Sequence, residues 1–446
     1  MINFNDIKSI IQKTFKSSLV VNITTVALIT ILVKGFGFYK EVVVASNIGL
    51  SELLDTFFIA LLLPGFINQV FLIAFKSVFI PNYVAELKGG DNTGTVQSTS
   101  FLITLGAGLV FTLVAFLFTD VFLETFFNGH SEDYYQLVKT QFYYLAPCIV
   151  IWGFCALLEG MLNIYNEFKF ASIHPILTSI SMLVCLLIFK EELQEKVLAV
   201  GMLIGSSLEL LLLIIVCLRK QIINLKKVDF QNKNVKMMFN QLPARVSSGF
   251  LTGLIPVTDQ YFAATLAVGS IAALNYGMKI PAFFSSIIVM ALGSVLLPYF
   301  SNLNYDNREL AFKKLMTILK VLFISLIIIV IPLIIFSTPI IAILFERNAF
   351  KADDTILVAN IQMIFLISIP FTICGDAIVR FLTSINKNAF LAYVSFGTMI
   401  FNFILDYIFM QYYGILGIAI CTTVVQILKV LIFIQYARKQ QQLPIT

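Results

Sequence analysis

The sequence predicts an all-α polytopic membrane protein. About twelve transmembrane helices form two parallel six-helix lobes around a central cavity, with both termini cytoplasmic. Three observations carry this prediction. Of 446 residues, 59% are hydrophobic and only 12% charged, whereas a soluble domain is near half apolar and a quarter charged. Twelve apolar runs are long enough to cross roughly 30 Å of hydrocarbon. The segments between them alternate in charge, as the positive-inside rule requires of a multi-pass chain.

The runs of the first half lie near 18–46, 52–84, 97–127, 134–164, 168–189 and 196–218. Those of the second lie near 238–268, 270–302, 311–344, 354–385, 388–411 and 413–437. Several exceed 28 residues, so tilt, a kink or protrusion past the headgroups is expected. Lys8, Lys13, Lys16, Lys88, Lys169, the stretch from Arg219 to Lys236, Arg308, Lys313, Lys314, Lys387, Arg438 and Lys439 gather on one side, which is therefore cytoplasmic. Glu124, Glu132, Asp133, Glu191, Glu192, Glu195, Asp353 and Asp354 fall on the other.

The expected divisions are a cytoplasmic amphipathic N-terminus (1–17), a first lobe (18–218), a basic linker on the anionic inner leaflet (219–237), a second lobe (238–437) and a cytoplasmic tail (438–446). No small-residue cleavage site follows the first run, so no signal peptide is expected. With one Trp, the 16 Tyr must supply the interfacial belt. The six cysteines lie in or beside apolar runs without metal-ligand spacing and read as small apolar packers. The net charge of +5 is an orientation signal and no nucleic-acid footprint.

An internal duplication orders the spans. Shifted by 217 positions, "SVFIP" (Ser77–Pro81) falls on "SVLLP" (Ser294–Pro298), Pro64 on Pro281 and Glu159 on Asp376. Shifted by 220, Asn166 and Phe170 meet Asn386 and Phe390. Six spans is an even number, so both halves keep one orientation, and such parallel repeats form a substrate site between them near the midplane. Pro64 and Pro281, mid-span in equivalent helices, are candidate hinges together with Gly35 and Gly37.

Charges stand inside the spans. In "KGFGFYKE" (34–41), Lys34 lies about twelve residues from the exit of its helix, roughly 18 Å deep and beyond easy snorkelling. Lys279 lies about nine residues, roughly 14 Å, into the eighth span. A lysine at the bilayer centre costs about 2.5–3.5 kcal/mol and normally faces a cavity or a partner. Lys34, Lys40, Lys279 and Arg245 are therefore candidate substrate-binding cations. Glu41 and Asp55 are candidate cavity acids or gating residues.

Two alternatives stand beside that reading. Lys34 pairs structurally with Asp55 or Glu41, or Asp55 complements the dipole of its own helix start. Lys76 reads as a snorkelling residue. Glu159, Asp259 and Asp376 are candidate ion-coupling sites, although Arg380 at i+4 offers Asp376 a helix pair. His130 and His174 suggest no chemistry. No phosphate-binding loop, nucleophile elbow, metal cluster or catalytic carboxylate pair is present, so neither an enzyme nor a metal is expected. A cavity lined by lysines suits a bulky anion, phosphate or pyrophosphate foremost.

"LVKGFGFYKEVVVASNIGLSELLDTFFIALLLP" (32–64) resembles the N-terminal signature of the MurJ/MviN family, through Lys34, Gly37, Phe38, Lys40, Glu41, Asp55, Phe57, Phe58 and Pro64. "NYGMKIPAFFSSIIVMALGSVLLPYFS" (275–301) resembles that family's eighth-helix motif, with Lys279 at the cavity arginine position. The family belongs to the multidrug/oligosaccharidyl-lipid/polysaccharide exporter superfamily and contains lipid II flippases. The resemblance implies alternating access in the bacterial cytoplasmic membrane, moving an undecaprenyl-pyrophosphate-linked saccharide outward. Lipid II, or a surface-polysaccharide or O-antigen precursor, is the implied cargo. No cofactor is implied beyond membrane potential or a coupling ion. The implied partners are the lipid-linked oligosaccharide and the bilayer, with no nucleic acid and a monomer as the expected state.

The chain departs from the family pattern at several points. Lysine replaces arginine at Lys34, Lys40 and Lys279, Gln69 stands near a family arginine, and Met278 stands where an acid is usual. Two further C-terminal helices have no counterpart among the twelve spans. The alternative function is a multidrug/cation antiporter of the same superfamily, which calls for an acidic or aromatic cavity. A non-transporting scaffold would tolerate neutral replacement of Lys34 and Lys279.

Overall fold

In hydrocarbon a backbone N–H finds its acceptor within its own segment or not at all, so apolar runs of this length close into helices. The computed structural model describes residues 18–90, 92–127 and 129–440. The predicted amphipathic N-terminus and the tail beyond residue 440 lie outside the described residues. The helices of the first half are α1 (Ser18–Ile48), α2 (Glu52–Gly89), α3 (Thr93–Leu117), the short α4 (Thr119–Phe126), α5 (Glu132–Ile164), α6 (Phe168–Ile188) and α7 (Val197–Arg219). Those of the second are α8 (Lys233–Ala264), α9 (Ser270–Asp306), α10 (Arg308–Ile335), the short α11 (Ser337–Phe345), α12 (Ala352–Ser384), α13 (Asn388–Tyr413) and α14 (Ile415–Gln440).

Among the described residues, ten helices are long and apolar enough to cross a membrane. Two further helices, α1 and α8 with 31 and 32 residues, open the two halves and carry interior charges. The predicted all-α polytopic class is thus the observed one. Two of the predicted single runs are divided. The third ends at Phe118 and the ninth at Phe336, and each continues as a short helix. A 25-residue α3 already rises about 37 Å, so the remainder of such a run has no membrane left to cross.

The chain divides into two compact units. The first comprises residues through Val43, Leu63–Asp120 and Gln136–Gly249; the second comprises Val44–Leu62, Val121–Tyr135 and residues from Phe250 onward. Phe79, Tyr83, Met161, Leu162 and Leu213 centre the core of the first. Phe300, Leu315, Phe381, Leu382 and Phe433 centre that of the second, with the Phe300 and Phe381 rings edge to face at 5.5 Å.

The segment after α7 is strapped to the first unit. Gln97 donates to the Ile222 carbonyl and accepts from the Asn224 amide at 2.7 Å, and Thr99 accepts from the Asp229 amide. Glu86 accepts from Asn234.

The duplication is legible in the backbone. Among the described residues, positive φ occurs at Gly49 and Gly269, Gly129 and Asn348, Asn166 and Asn386, and Gln194 and Gly414, plus Gln221. Each pair is separated by 219 or 220 positions, close to the offsets of 217 and 220 read from the sequence. Left-handed backbone is rare outside glycine, so four matched pairs mark one ancestral chain trace used twice. The halves differ at the predicted hinges. In α2, a π-helical turn (Asn68–Leu72) follows Pro64, as expected where a proline perturbs the hydrogen-bond ladder. In α9 the helix continues regularly past Pro281, and α1 is regular through Gly35 and Gly37.

A Cβ on Gly269 would stand 2.8 Å from the Leu50 carbonyl oxygen, at φ +89°. Gly269→Ala is therefore expected to cost at least about 1–2 kcal/mol and to lower the unfolding midpoint in detergent. Gly106→Ala, where a Cβ meets nothing within 4 Å on α3, is expected to be neutral or stabilising in the same measurement.

Candidate functional site

Ionised groups buried among helices must be matched in place, because the hydrocarbon offers them no water. The first match is on α1. The Lys40 ammonium lies 2.7 Å from the Glu41 carboxylate, and both side chains are 15% exposed. The same nitrogen is 3.9 Å from the Met182 sulfur of α6. Neighbouring residues diverge by about 100° around a helix, so the lysine stem, not a bend at Gly35 or Gly37, closes the pair. Lys34, half-buried two turns earlier, has no described carboxylate of its own unit within ion-pair distance.

Asp55 is placed at the start of another helix. Its side chain is 4% exposed and accepts two backbone hydrogen bonds, from Gly269 at 2.6 Å and from Ala272 at 2.7 Å. These are the first amides of α9, whose own N-cap, Gly269, has no side chain to offer. One carboxylate from α2 thus performs both halves of a capping box for another helix, at its positive dipole end. Asp55 and Ala272 are 217 apart, the offset that also relates Pro64 to Pro281.

Further along α9, the Lys279 ammonium lies 5.9 Å from the Phe58 ring centroid, within cation–π range. Arg245 is exposed on α8.

Glu159 and Asp376, predicted repeat equivalents, are each neutralised, by opposite routes. Lys76 of α2 reaches Glu159 of α5 at 2.6 Å. In the second half, the position equivalent to Lys76 is Gly293. Arg380 occupies that room, bonding Asp376 at 2.8 Å and 3.3 Å and the Gly293 carbonyl at 3.3 Å. A Cβ on Gly293 would come within 2.9 Å of the guanidinium. The cation has moved from one helix to the other while the acid kept its place.

Asp259 is 5% exposed and stands in a carboxylate cluster that pattern reading only half found. Asn402 and Thr422 donate to its two oxygens at 3.1 Å each, and Asn402 also donates to Asp406. One oxygen each of Asn402 and Asp406 is buried without a partner. The cluster thus offers two carboxylates, with one spare oxygen on Asp406 and one on the Asn402 carboxamide. No basic side chain is among the bonding partners, and a donor set of this all-oxygen type suits a hard cation. Asn402 and Asp406, at i and i+4 on α13, could have been found as a polar pair in an apolar run. His174 and Glu209 were also missed: the His174 ring nitrogen lies 3.2 Å from Glu209, and Thr178 donates to the other Glu209 oxygen at 2.6 Å.

A duplicated set of membrane-spanning helices holding matched charges at depth is the architecture of a multi-pass membrane transporter. The profile of the family described as lipid II flippase MurJ matches residues 44–446, and the chain belongs to that family, one of transporters of the bacterial cytoplasmic membrane and not of enzymes.

A probable lipid II flippase MurJ of Synechocystis is 24% identical over 92% of this chain and 79% of its own length. One of Rickettsia prowazekii is 23% identical over 94% and 84%. The solved lipid II flippase MurJ in an inward closed conformation shares the fold at a TM-score of 0.78, with 24% identity over 93% of this chain and 87% of its own. An inward-facing MATE-family multidrug resistance transporter does so at 0.73, with 14% identity over 93% and 98%.

Asp55→Ala is expected to leave two buried amides unsatisfied, at about 1–3 kcal/mol each, and to lower the thermal midpoint. Lys76→Met strands Glu159, costing between the roughly 1 kcal/mol of an exposed pair and the roughly 3–5 of a buried one. Lys76→Met combined with Glu159→Met is expected to recover most of that loss in the same melt.

Proposed function

We propose that this chain carries an undecaprenyl-pyrophosphate-linked saccharide, lipid II in the first place, from the inner to the outer leaflet by alternating access. The observation that carries the reading is the family match across 44–446 together with lysines set deep in α1 and α9. A pyrophosphate bears concentrated negative charge, and an ammonium in a low-dielectric surrounding attracts it strongly. Lys34, Lys40 and Lys279 are the proposed substrate cations, with Arg245, exposed on α8, as a fourth. Glu41 holds Lys40 in position. Asp55 is a positioning residue: by capping α9 it fixes the helix that bears Lys279.

The coupling ion we assign is a monovalent cation at Asp259, Asn402, Asp406 and Thr422. The two unpartnered oxygens there support this assignment. Asp376 and Glu159 are each held by a basic partner, and they serve the charge balance of their helices. The antiporter alternative draws support from the same acidic cluster, and a drug assay separates the two.

Expression in a strain depleted of its lipid II flippase is expected to restore growth. Lys34→Ala and Lys279→Ala are expected to abolish rescue, and the arginine variants to retain it, because the charge is kept. A gain in drug resistance without rescue would assign the antiporter. In proteoliposomes, Asp259→Asn or Asp406→Asn is expected to remove the dependence of flipping on an imposed sodium gradient.

A further inference from the structure

The first unit contains a second ionisable cluster that the reading above does not use. A cavity of about 490 Å³ opens among α2, α5, α6 and α7, lined by Asn68, Lys76, Trp152, Glu159, His174 and Glu209 among others. At its inner end His174 is 7% and Glu209 6% exposed. Both carboxylate oxygens of Glu209 are engaged, one by Thr178 and the other by His174 Nδ1. Gly201 and Gly205 let α7 close onto α6 at Met182 and Thr178, which holds the pair in fixed geometry.

We propose that His174 and Glu209 form a proton-binding site in the first unit, filled through this cavity. Charge counting supplies the reason. Lys76 cancels Glu159 and Lys40 cancels Glu41. With His174 neutral, the buried Glu209 carboxylate has no cation bonded to it, only the Thr178 hydroxyl and the imidazole, which is costly. A neutral imidazole that donates from Nδ1 to a carboxylate keeps a bare lone pair on Nε2. A hydronium ion delivers its proton there: the N–H bond forms, an O–H bond breaks and a water is left. The product is an imidazolium–carboxylate pair of zero net charge. A cavity of this volume, with Asn68, Lys76, Glu159, His174 and Glu209 as polar groups on its walls, has room and partners for the water that carries the proton.

The groups facing the pair have been placed. They are Lys76 on α2 and Glu159 with the thiols of Cys148 and Cys155 on α5; α1, which packs on α6 where Gly37 meets Ser179, carries Lys34, Lys40 and Glu41. In its own unit no described carboxylate is within ion-pair distance of Lys34. The second half carries no copy of this site, because at an offset of 220 His174 falls on Val394 and Glu209 on Lys429. Conversely, Asn402, Asp406 and Thr422 fall on Met182, Leu186 and Met202. The two halves therefore bind different cations at different places, a proton in the first and a hard cation in the second. Only the use of the proton to drive transport rests on the flippase reading; its binding does not.

The chain has two histidines, so His130→Gln leaves His174 as the single reporter. Ring-nitrogen NMR on isotope-labelled histidine, in the full chain in lipid nanodiscs, is followed from about pH 8 to about pH 5. His174 is expected to gain its second ring proton in one step. In Glu209→Gln it is expected to remain singly protonated throughout, and in Glu209→Asp the step is expected to return. A His174 that stays neutral with Glu209 intact overturns the proposal, as does one that titrates alike in Glu209→Gln. If Glu209→Gln does not fold, the comparison passes to Thr178→Ala. That variant keeps the carboxylate and is expected to keep the step, and its loss there counts against the proposal. Growth rescue does not enter this readout, so the transport assignment and the proton site fail separately.

Discussion

The absence of solvent around a charge governs this molecule. In hydrocarbon an ammonium or carboxylate has no water to screen it, and an unmatched one costs several kcal/mol. Each interior acid is accordingly found beside something that answers it. Glu41 has Lys40, Glu159 has Lys76, Asp376 has Arg380, and Asp55 has the first amides of α9. At Asp259 with Asp406 and at Glu209 with His174 the answer comes from neutral donors, Asn402, Thr422 and Thr178, and from an imidazole.

Duplication gives an internal comparison that a single-copy fold lacks. Four pairs of left-handed residues keep their places at offsets of 219 or 220. Backbone turns of this kind are steric necessities and change slowly. Side-chain chemistry has diverged over the same frame. Where the first half has Lys76 the second has Gly293, and its cation is Arg380 on the helix of the acid, so the charge balance is shared while its source differs. Asp55 reaches the amide of Ala272 in the other half, which returns no side-chain bond. The asymmetry leaves one carboxylate to cap α9.

Much of the fold was legible because hydropathy and turn residues act locally. Run length and charge alternation gave the helices and the shared orientation of the halves. The divisions at Phe118 and Phe336 escaped, since an apolar run does not reveal where the membrane ends within it. Asp376 with Arg380 was legible because helical i,i+4 neighbours must meet. Lys76 with Glu159, 83 positions apart, was not, and neither was Glu209, a lone acid in an apolar run whose partner sits on another helix.

The amino-acid sequence alone determined the helical class, the duplication, the place of Lys34 and Lys279 within long helical runs, and the membership that these motifs announce. Each depends on composition, on periodicity within a few turns, or on a motif read along one stretch of chain. The tertiary structure alone decided which charge answers which. Only packing brings Asp55 to the start of α9, Asn402 and Thr422 to Asp259, and His174 to Glu209. Electrostatic energy in a low dielectric falls with distance through space, and separation along the chain does not enter it.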